Sequence, residues 1–129
     1  MKRWIFFCFL ACLPGTTLGE QRMATPVERL RVAEGFLVER LYSVPRSEQG
    51  SWVAMCRDDK GRLITSDQYG SLYRFAPPPP GRPLSPDAIE RIDVSIGHAQ
   101  GLCYAFDSLY VVVNSRNSKT GSGVFRLLD

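Results

Sequence analysis

Residues 51–75 read SWVAMCRDDKGRLITSDQYGSLYRF, and this stretch decides the fold. Three short runs of strand-forming residues, within 51–57, 62–66 and 71–75, are separated by the turn sequences DDKG and DQYG. Gly61 in the first turn can take the positive φ angle that a tight hairpin requires. Runs of strand formers bounded by turn residues predict consecutive antiparallel strands.

The sequence on either side of this stretch extends the pattern. Residues 77–86 hold five prolines (77–80 and 83) and a sixth at 86, and they predict a stiff surface loop that cannot join a sheet. Residues 89–94, IERIDV, predict a fourth strand. On the N-terminal side, the residues FLVERLY at 36–42 predict a leading strand.

The four-strand pattern starts again further along the chain. Met55-Cys56 matches Leu102-Cys103, and Leu63-Ile64 matches Tyr110-Val111, both at an offset of 47; residues 73–75 match 125–127 at an offset of 52. A four-strand unit that repeats roughly every 40–50 residues is typical of a β-propeller blade. We therefore predict an all-β fold of about two antiparallel four-stranded blades. A β-sandwich of short strands gives similar turn spacing and stays an alternative.

Two blades are too few for a closed propeller, which takes roughly four to eight. In an incomplete ring, the leading strand at 36–42 would be an unpaired edge. We therefore expect residues 36–129 to be the N-terminal blades of a longer protein, or the product of a truncated reading frame.

Residues 1–19 have the pattern of an export signal. Lys2 and Arg3 precede an unbroken apolar run at 4–13, and small residues follow up to Gly19. This run is much shorter than the roughly 20 residues of a membrane-spanning helix, so we expect no transmembrane helix beyond the signal. The protein is predicted to be exported, to the periplasm or the outside, with a polar leader at 20–35; a lipoprotein signal that uses Cys12 is the alternative.

Composition and charge exclude several classes of protein. A chain of 129 residues that is 44% hydrophobic is neither a disordered tail nor a collagen-like fibre. The formal charge of +3 falls to +1 when Lys2 and Arg3 leave with the signal (3 − 2 = 1), so no nucleic-acid partner is indicated. Cys56 and Cys103 would remain, and we interpret them as buried free thiols, with a disulfide as the alternative. Neither CxxCH nor a Cys/His cluster occurs, which excludes zinc and covalent haem as groups held by this sequence.

Three segments carry a family resemblance: FLVERLYSVPRSEQGSWVAM at 36–55, GRLITSDQYGSLYRFAPP at 61–78 and IGHAQGLCYAFDSLYVVVN at 96–114. Together they resemble the start of planctomycete-type exported membrane-bound dehydrogenases, or haem-binding-domain proteins. The propellers of that family are similar to those of soluble quinoprotein glucose and sorbosone dehydrogenases. SDQYGSLYR at 66–74 and AQGLCYAFDSLYVVVN at 99–114 are the most specific segments.

The resemblance implies a larger parent protein with further blades and a C-terminal c-type cytochrome module. Its implied cofactors are pyrroloquinoline quinone (PQQ), calcium and a c-type haem, and none of them is expected to be held by this chain. The implied partners of this chain are the remaining blades and the cytochrome module. The parent would oxidise sugars or related alcohols, and this chain alone is expected to be inactive.

The candidate site residues lie in loops that a meander brings to one rim. His98 is the only histidine and a candidate general base, and HAQGL at 98–102 is similar to the segment that carries the base in quinoprotein sugar dehydrogenases. That base belongs to a later blade of the family, so we prefer the alternative that His98 is an ordinary rim residue. Asp67, Gln68, Gln100 and Asn114 are candidate contacts for a polar ligand. Asp67, Gln68 and Asn114 could also give oxygen ligands to calcium, but for Asp67 and Asn114 we prefer the interpretation that they stabilise their own turns.

Three functions compete at this stage. The first is a part of an exported sugar oxidoreductase, and the second is a non-enzymatic exported propeller module that binds a polysaccharide or a protein. The third is a gene fragment that has no stable function. Tyr69, Tyr73 and Trp52 are interpreted as packing residues between blades rather than as a stacking platform.

Overall fold

The computed structural model describes residues 24–128, so the predicted signal at 1–19 lies outside the described residues. The fold is all-β, with two antiparallel sheets, as the sequence pattern predicted. The seven strands are β1 (Trp52–Arg57), β2 (Leu63–Asp67), β3 (Leu72–Phe75), β4 (Glu90–Ile92), β5 (Ala99–Ala105), β6 (Ser108–Val113) and β7 (Gly123–Leu128). The helices are single turns at Val27–Arg29, Arg46–Gln49 and Pro86–Ala88. In the described part of the chain, none of them has the length and apolar character needed to cross a membrane.

The first sheet is a meander with the strand order β1-β2-β3-β4. The turn between β1 and β2 is held by the Asp58 carboxylate, which accepts hydrogen bonds from the backbone N–H groups of Lys60 (3.0 Å) and Arg62 (2.8 Å). The Arg62 side chain donates a further hydrogen bond to this carboxylate at 2.6 Å. Gly61 has a φ of 79°, as the turn prediction required. The meander predicted over residues 51–94 is confirmed.

The second sheet has the order β5-β6-β7. Its first hairpin turns through Phe106 and Asp107, which have positive φ angles of 51° and 54°. Two successive positive φ angles are typical of a two-residue type I′ turn, whose twist matches that of the flanking strands.

The predicted leading strand at 36–42 is wrong. This segment forms no strand in the described chain; a backbone hydrogen bond of 2.8 Å joins the Leu84 N–H group to the Leu41 carbonyl. The reason is that the segment crosses one face of the first sheet rather than running along an edge. Phe36 and Leu37 are 76% and 85% exposed, whereas residues 41–45 are half-buried and lie across a cleft from Trp52, Leu63 and Phe75.

The main core lies between the two sheets. Ile64 and Leu72 of the first sheet meet Leu109, Val111 and Val113 of the second, and all five are buried. The partly buried residues around them are Cys56, Ile92, Val94, Leu102, Tyr104, Phe125 and Leu127. The Ser66 hydroxyl donates a hydrogen bond to the Ala99 carbonyl at 3.0 Å, and both residues are fully buried. This bond fixes β5 against β2.

An aromatic cluster covers the opposite face of the first sheet. Trp52 stacks on Tyr42, Tyr73 and Phe75, with ring centroids 5.6–5.8 Å apart. Stacked pairs of this kind contribute about 0.5–1.5 kcal/mol beyond the burial of their area. Trp52 and Tyr73 therefore pack on the face that points away from the second sheet, so their interpretation as packing residues between blades is wrong. Because Tyr42 belongs to the crossing segment, the cluster ties that segment to the sheet.

The strand registers allow the correspondence that the sequence match proposed to be followed from strand to strand. Met55 pairs with Thr65, and Leu102 pairs with Val111. If Met55 corresponds to Leu102, as the sequence match proposed, Thr65 must correspond to Val111, an offset of 46 (111 − 65). The predicted offset of 47 for β2 and β6 is therefore wrong by one residue, because the second hairpin is one residue shorter between these pairs. The predicted offset of 52 between β3 and β7 follows from the register.

With Met55 matched to Leu102, the two sheets stack in the same orientation. Met55, Leu63, Thr65, Tyr73 and Phe75 lie on the face of the first sheet that the crossing segment covers. Their counterparts Leu102, Leu109, Val111, Phe125 and Leu127 lie on the face of the second sheet that packs against the first. The face of the second sheet that packs against the first sheet is thus the counterpart of the first sheet's opposite face, the one that carries Tyr73 and Phe75.

The outer face of the second sheet corresponds to the packed face of the first. This outer face consists of Cys103, Tyr110, Val112, Val124 and Arg126, which match Cys56, Ile64, Ser66, Leu72 and Arg74. Val112 is 41% exposed and Val124 is 70% exposed, whereas Leu72, the counterpart of Val124, is fully buried. An apolar face that is covered in the first sheet is therefore open in the second.

Candidate functional site: a cleft at the rim

Three loops meet at one end of the two sheets and enclose a cleft of about 380 Å³, which we call the rim cleft. They are the β2–β3 loop, the segment between β4 and β5, and the β6–β7 loop. This volume is within the roughly 300–1,000 Å³ of small-molecule sites. The side chains that line the cleft with polar or aromatic groups are Tyr69, Ser71, Arg91, Ser95, His98, Asn117, Lys119 and Thr120.

The floor of the rim cleft is set by close backbone packing. A Cβ atom on Gly97 would lie 3.3 Å from the Gly70 carbonyl oxygen, so the two loops approach as closely as glycine permits. Ile96 and Ala99, on either side of this contact, are buried in or beside the core. The cleft is therefore anchored to the rigid part of the fold.

His98 lies in the rim cleft. Its φ angle is 57°, in the left-handed region that few residues other than glycine adopt. The rings of His98 and Tyr69 form an edge-to-face pair, with their centroids 6.0 Å apart and their planes at 80°. This conformation directs a half-buried imidazole to the cleft.

Asp67 is placed beside the rim cleft but does not line it. Its Oδ1 atom accepts hydrogen bonds from the backbone N–H groups of Ser51 (3.0 Å) and Tyr69 (3.3 Å). Gly50 and Gly70 close in on the same carboxylate so tightly that a Cβ atom on either would collide with it. The geometry is that of a carboxylate that organises its own turn.

The other three predicted ligand contacts also lie outside the lining of the rim cleft. Gln68 donates its backbone N–H to the Ser51 carbonyl at 2.8 Å and is half-buried, Gln100 is exposed on β5, and Asn114 is exposed directly after β6. Of the predicted site residues, the structure therefore brings only His98 into the cleft.

Sequence reasoning missed most of the polar lining. Asn117, Lys119 and Thr120 belong to the loop at 114–123, which the meander argument placed on this rim without singling them out. Arg91 gave no signal, because it stands in a strand pattern where exposed charges are ordinary. Tyr69 is 66% exposed, so its interpretation as a packing residue is wrong.

The charge of the rim cleft has one sign. Arg91 and Lys119 both line it, and no carboxylate side chain does. Asp67 is buried behind the lining with its Oδ1 engaged, and Asp93 is exposed outside it. Such an arrangement attracts anions, since cations in a cleft with low-dielectric walls focus their field on the entrance.

The two cysteines of the described chain are free. Cys103 is exposed and Cys56 is half-buried, so the prediction that both are buried is wrong. Burial raises the pKa of the Cys56 thiol to about 11, with smaller contributions from Cys103 and Asp58. Cys56 is therefore protonated at neutral pH and unreactive as a nucleophile.

The described residues do not fit the calcium ion that the family resemblance implies. Residues 24–128 contain no group of three or more His, Cys, Asp or Glu side chains that could hold a metal ion. Asp67, the carboxylate among the predicted oxygen ligands, already accepts two backbone hydrogen bonds through Oδ1. Calcium takes six to eight oxygen ligands, and this rim does not gather them.

Comparisons of the chain with protein-family models, with curated proteins and with solved structures find no match.

Proposed function

We propose that residues 36–129 are successive blades of a β-propeller in an exported oxidoreductase that resembles quinone-dependent sugar dehydrogenases. The proposal is supported by the packing of the two sheets against each other, which is in the same orientation when Met55 is matched with Leu102. The oxidoreductase class comes from the family resemblance of residues 36–129.

The stacking favours a propeller over a sandwich for a geometric reason. In a β-sandwich, two inner faces meet, both outer faces are solvated, and the core is complete. Here the face of the first sheet that meets the second corresponds to the open outer face of the second sheet. Repeated stacking of this kind continues until a ring closes or a segment caps it. The segment 38–44 lies over the first-sheet end of the stack. At the other end, the outer face with Val112 and Val124 is open and could pack against a further sheet.

The described residues act as a scaffold in this proposal. Oxidation of a sugar alcohol needs a hydride or electron acceptor, which PQQ supplies in the longer proteins of the family. Among residues 24–128, His98 is the one candidate general base that the sequence offered, and the described residues hold no metal-ion cluster. We therefore expect this chain to have no dehydrogenase activity alone.

A dye-linked dehydrogenase assay tests the proposal. The longest natural protein that contains this chain is assayed on aldoses with PQQ and calcium, beside the 129-residue chain alone. We expect activity from the longer protein only, and its crystal structure should show a further antiparallel sheet over Val112 and Val124. A longer protein without dehydrogenase activity, or a solvent-exposed outer face in that structure, would contradict the proposal.

A second candidate function is a non-enzymatic exported module that binds a polysaccharide or a protein. The rim cleft favours it, because this cleft lies at the loops, carries two cations and presents an exposed tyrosine without any gathered catalytic set. Binding without turnover would distinguish it from the oxidoreductase.

A further inference from the structure

We infer that the rim cleft binds an acidic saccharide, with Arg91 and Lys119 holding the carboxylate of a sugar acid. This inference rests on the second candidate function and names its ligand class. It does not depend on what covers the outer face of the second sheet, because the cleft is built from loops that the structure describes.

The anionic part of the ligand follows from the charges. Arg91 lies in β4 and Lys119 in the β6–β7 loop, so two separate elements bring positive charge to one cavity. The guanidinium group matches the two oxygens of a carboxylate with parallel hydrogen bonds. The absence of a carboxylate among the lining side chains leaves these cations available to a ligand rather than to an internal salt bridge.

The saccharide part follows from the rest of the lining. Ser71, Ser95 and Thr120 contribute hydroxyl groups and Asn117 contributes an amide, and such groups both donate and accept hydrogen bonds as sugar hydroxyls do. Tyr69 adds an aromatic ring that is 66% exposed at the same cleft. An aromatic ring provides a flat apolar surface with a polar end, and this suits a sugar ring, which has apolar C–H faces and polar edges.

The backbone shows that part of this site is formed before any ligand arrives. His98 keeps a positive φ of 57°, and the Gly70 and Gly97 backbones are in close approach under the lining. Residues in sparsely populated backbone conformations occur preferentially at ligand-binding positions. A preformed floor reduces the ordering cost of binding.

Isothermal titration calorimetry of the full chain with a matched pair of ligands tests the inference. Trigalacturonate and the neutral galactose trimer differ in the carboxylate groups that the cations are proposed to recognise. We expect trigalacturonate to bind at least about tenfold more tightly than the neutral trimer, which corresponds to about 1.4 kcal/mol. We also expect the difference to shrink in about 0.5 M NaCl, since salt screens the attraction.

Variants of one loop locate the binding site. Lys119→Gln should weaken trigalacturonate binding about tenfold. Arg116→Gln is the control: it removes the same charge from an exposed residue of this loop that does not line the cleft, and it should weaken binding less than Lys119→Gln. Tyr69→Ala should weaken both trimers. Arg91 lies in a strand, so the folding of Arg91→Gln is checked by circular dichroism. If Arg91→Gln misfolds, the loss of binding in Lys119→Gln still tests the role of the cations.

Each outcome has a defined meaning. Equal binding of both trimers would overturn the acidic class but keep saccharide binding, and no binding of either would overturn the inference. Inorganic sulfate that binds as tightly as trigalacturonate would show an anion site without sugar recognition, which also overturns it. Equal losses in Lys119→Gln and Arg116→Gln would place the ligand outside the cleft.

Discussion

The buried carboxylate of Asp67 shows how a single side chain shapes the rim. Its Oδ1 atom accepts hydrogen bonds from two backbone N–H groups, and the carboxylate leaves no room for a Cβ atom at Gly50 or Gly70. Gly50 also has a φ of 65°. We therefore expect Gly50→Ala to destabilise the protein strongly, through backbone strain and through the collision of the new Cβ atom with the carboxylate.

Gly35→Ala is the matched control for Gly50→Ala. Gly35 has a φ of 84°, but no atom lies within 4 Å of the position that a Cβ atom would take there, so this variant isolates the backbone strain of about 1–2 kcal/mol. Gly50→Ala should cost about 1–3 kcal/mol more than this control, because it adds overpacking and because the Gly50 ψ of −134° lies outside the left-handed helical region. Urea unfolding followed by tryptophan fluorescence measures both, and equal costs would show that the Asp67 turn rearranges without loss.

Asp58 makes the first hairpin sensitive to acid. Burial alone would raise the pKa of its carboxyl group, but hydrogen bonds from Arg62 and Lys60 and the charge of Arg62 bring that pKa below its ordinary value. A carboxyl group with a lowered pKa in the folded state stabilises the protein fully above the unfolded pKa of about 3.9, and this stabilisation is lost as the pH falls through the folded value.

The matching experiment measures urea midpoints from neutral pH down to about pH 2. Asp58→Asn should be less stable than the parent chain at neutral pH, and the difference should shrink as the pH falls below about 4. Asp93→Asn removes an exposed carboxylate and is the control for loss of a charge. A difference between Asp58→Asn and the parent that stays constant over the whole acid range would disprove the role of the Asp58 carboxylate.

At the scale of elements, β2 is the centre of the fold. Residues 64–67 are all buried, because β1 and β3 flank the strand, the second sheet covers one face and the crossing segment covers the other. Amides of Ile64, Thr65 and Ser66 should therefore exchange with solvent only through global unfolding.

Native-state hydrogen exchange tests this ranking of the strands. We expect the slowest exchange in β2 and β6, and faster exchange in the three-residue edge strand β4. Residues 36–38, outside any strand, should exchange fastest of these segments. Protection of residues 36–38 equal to that of β2 would mean that the leading segment is a paired strand after all.

The sequence predicted the strands of the fold better than the coverage of their faces. Apolar runs and turn residues such as Gly61 located β1 to β4, since these signals are local. The side chains of 36–42 suited a strand equally well, but the segment crosses a face of the first sheet instead of joining an edge, and no local pattern reports where the tertiary fold places a segment. The rim cleft could not be predicted for a similar reason. Arg91 and Lys119 are 28 residues apart (119 − 91), and they line one cleft only because the two sheets pack together.

At the scale of the whole molecule, the open outer face of the second sheet has a measurable consequence. Val112 and Val124 expose 41% and 70% of their surface, and large exposed apolar patches promote association. If this face is a stacking surface, the isolated chain should self-associate as its concentration rises, and it should bind a hydrophobic dye such as 8-anilinonaphthalene-1-sulfonate. Sedimentation velocity across a hundredfold range of concentration measures the association.

Substitutions on the two sheets separate this stacking surface from ordinary surface hydrophobicity. Val124→Lys should abolish association and dye binding while changing the free energy of unfolding by no more than about 0.5 kcal/mol, because the residue is mostly exposed in the single chain. Val53→Lys places the same charge at a 44% exposed valine in β1, away from the outer face, and should leave association unchanged. A chain that stays monomeric and binds no dye at every concentration would contradict the stacking argument, and so would equal effects of the two variants. The reason is that an apolar sheet face left exposed in the single chain should associate with another copy or bind the dye.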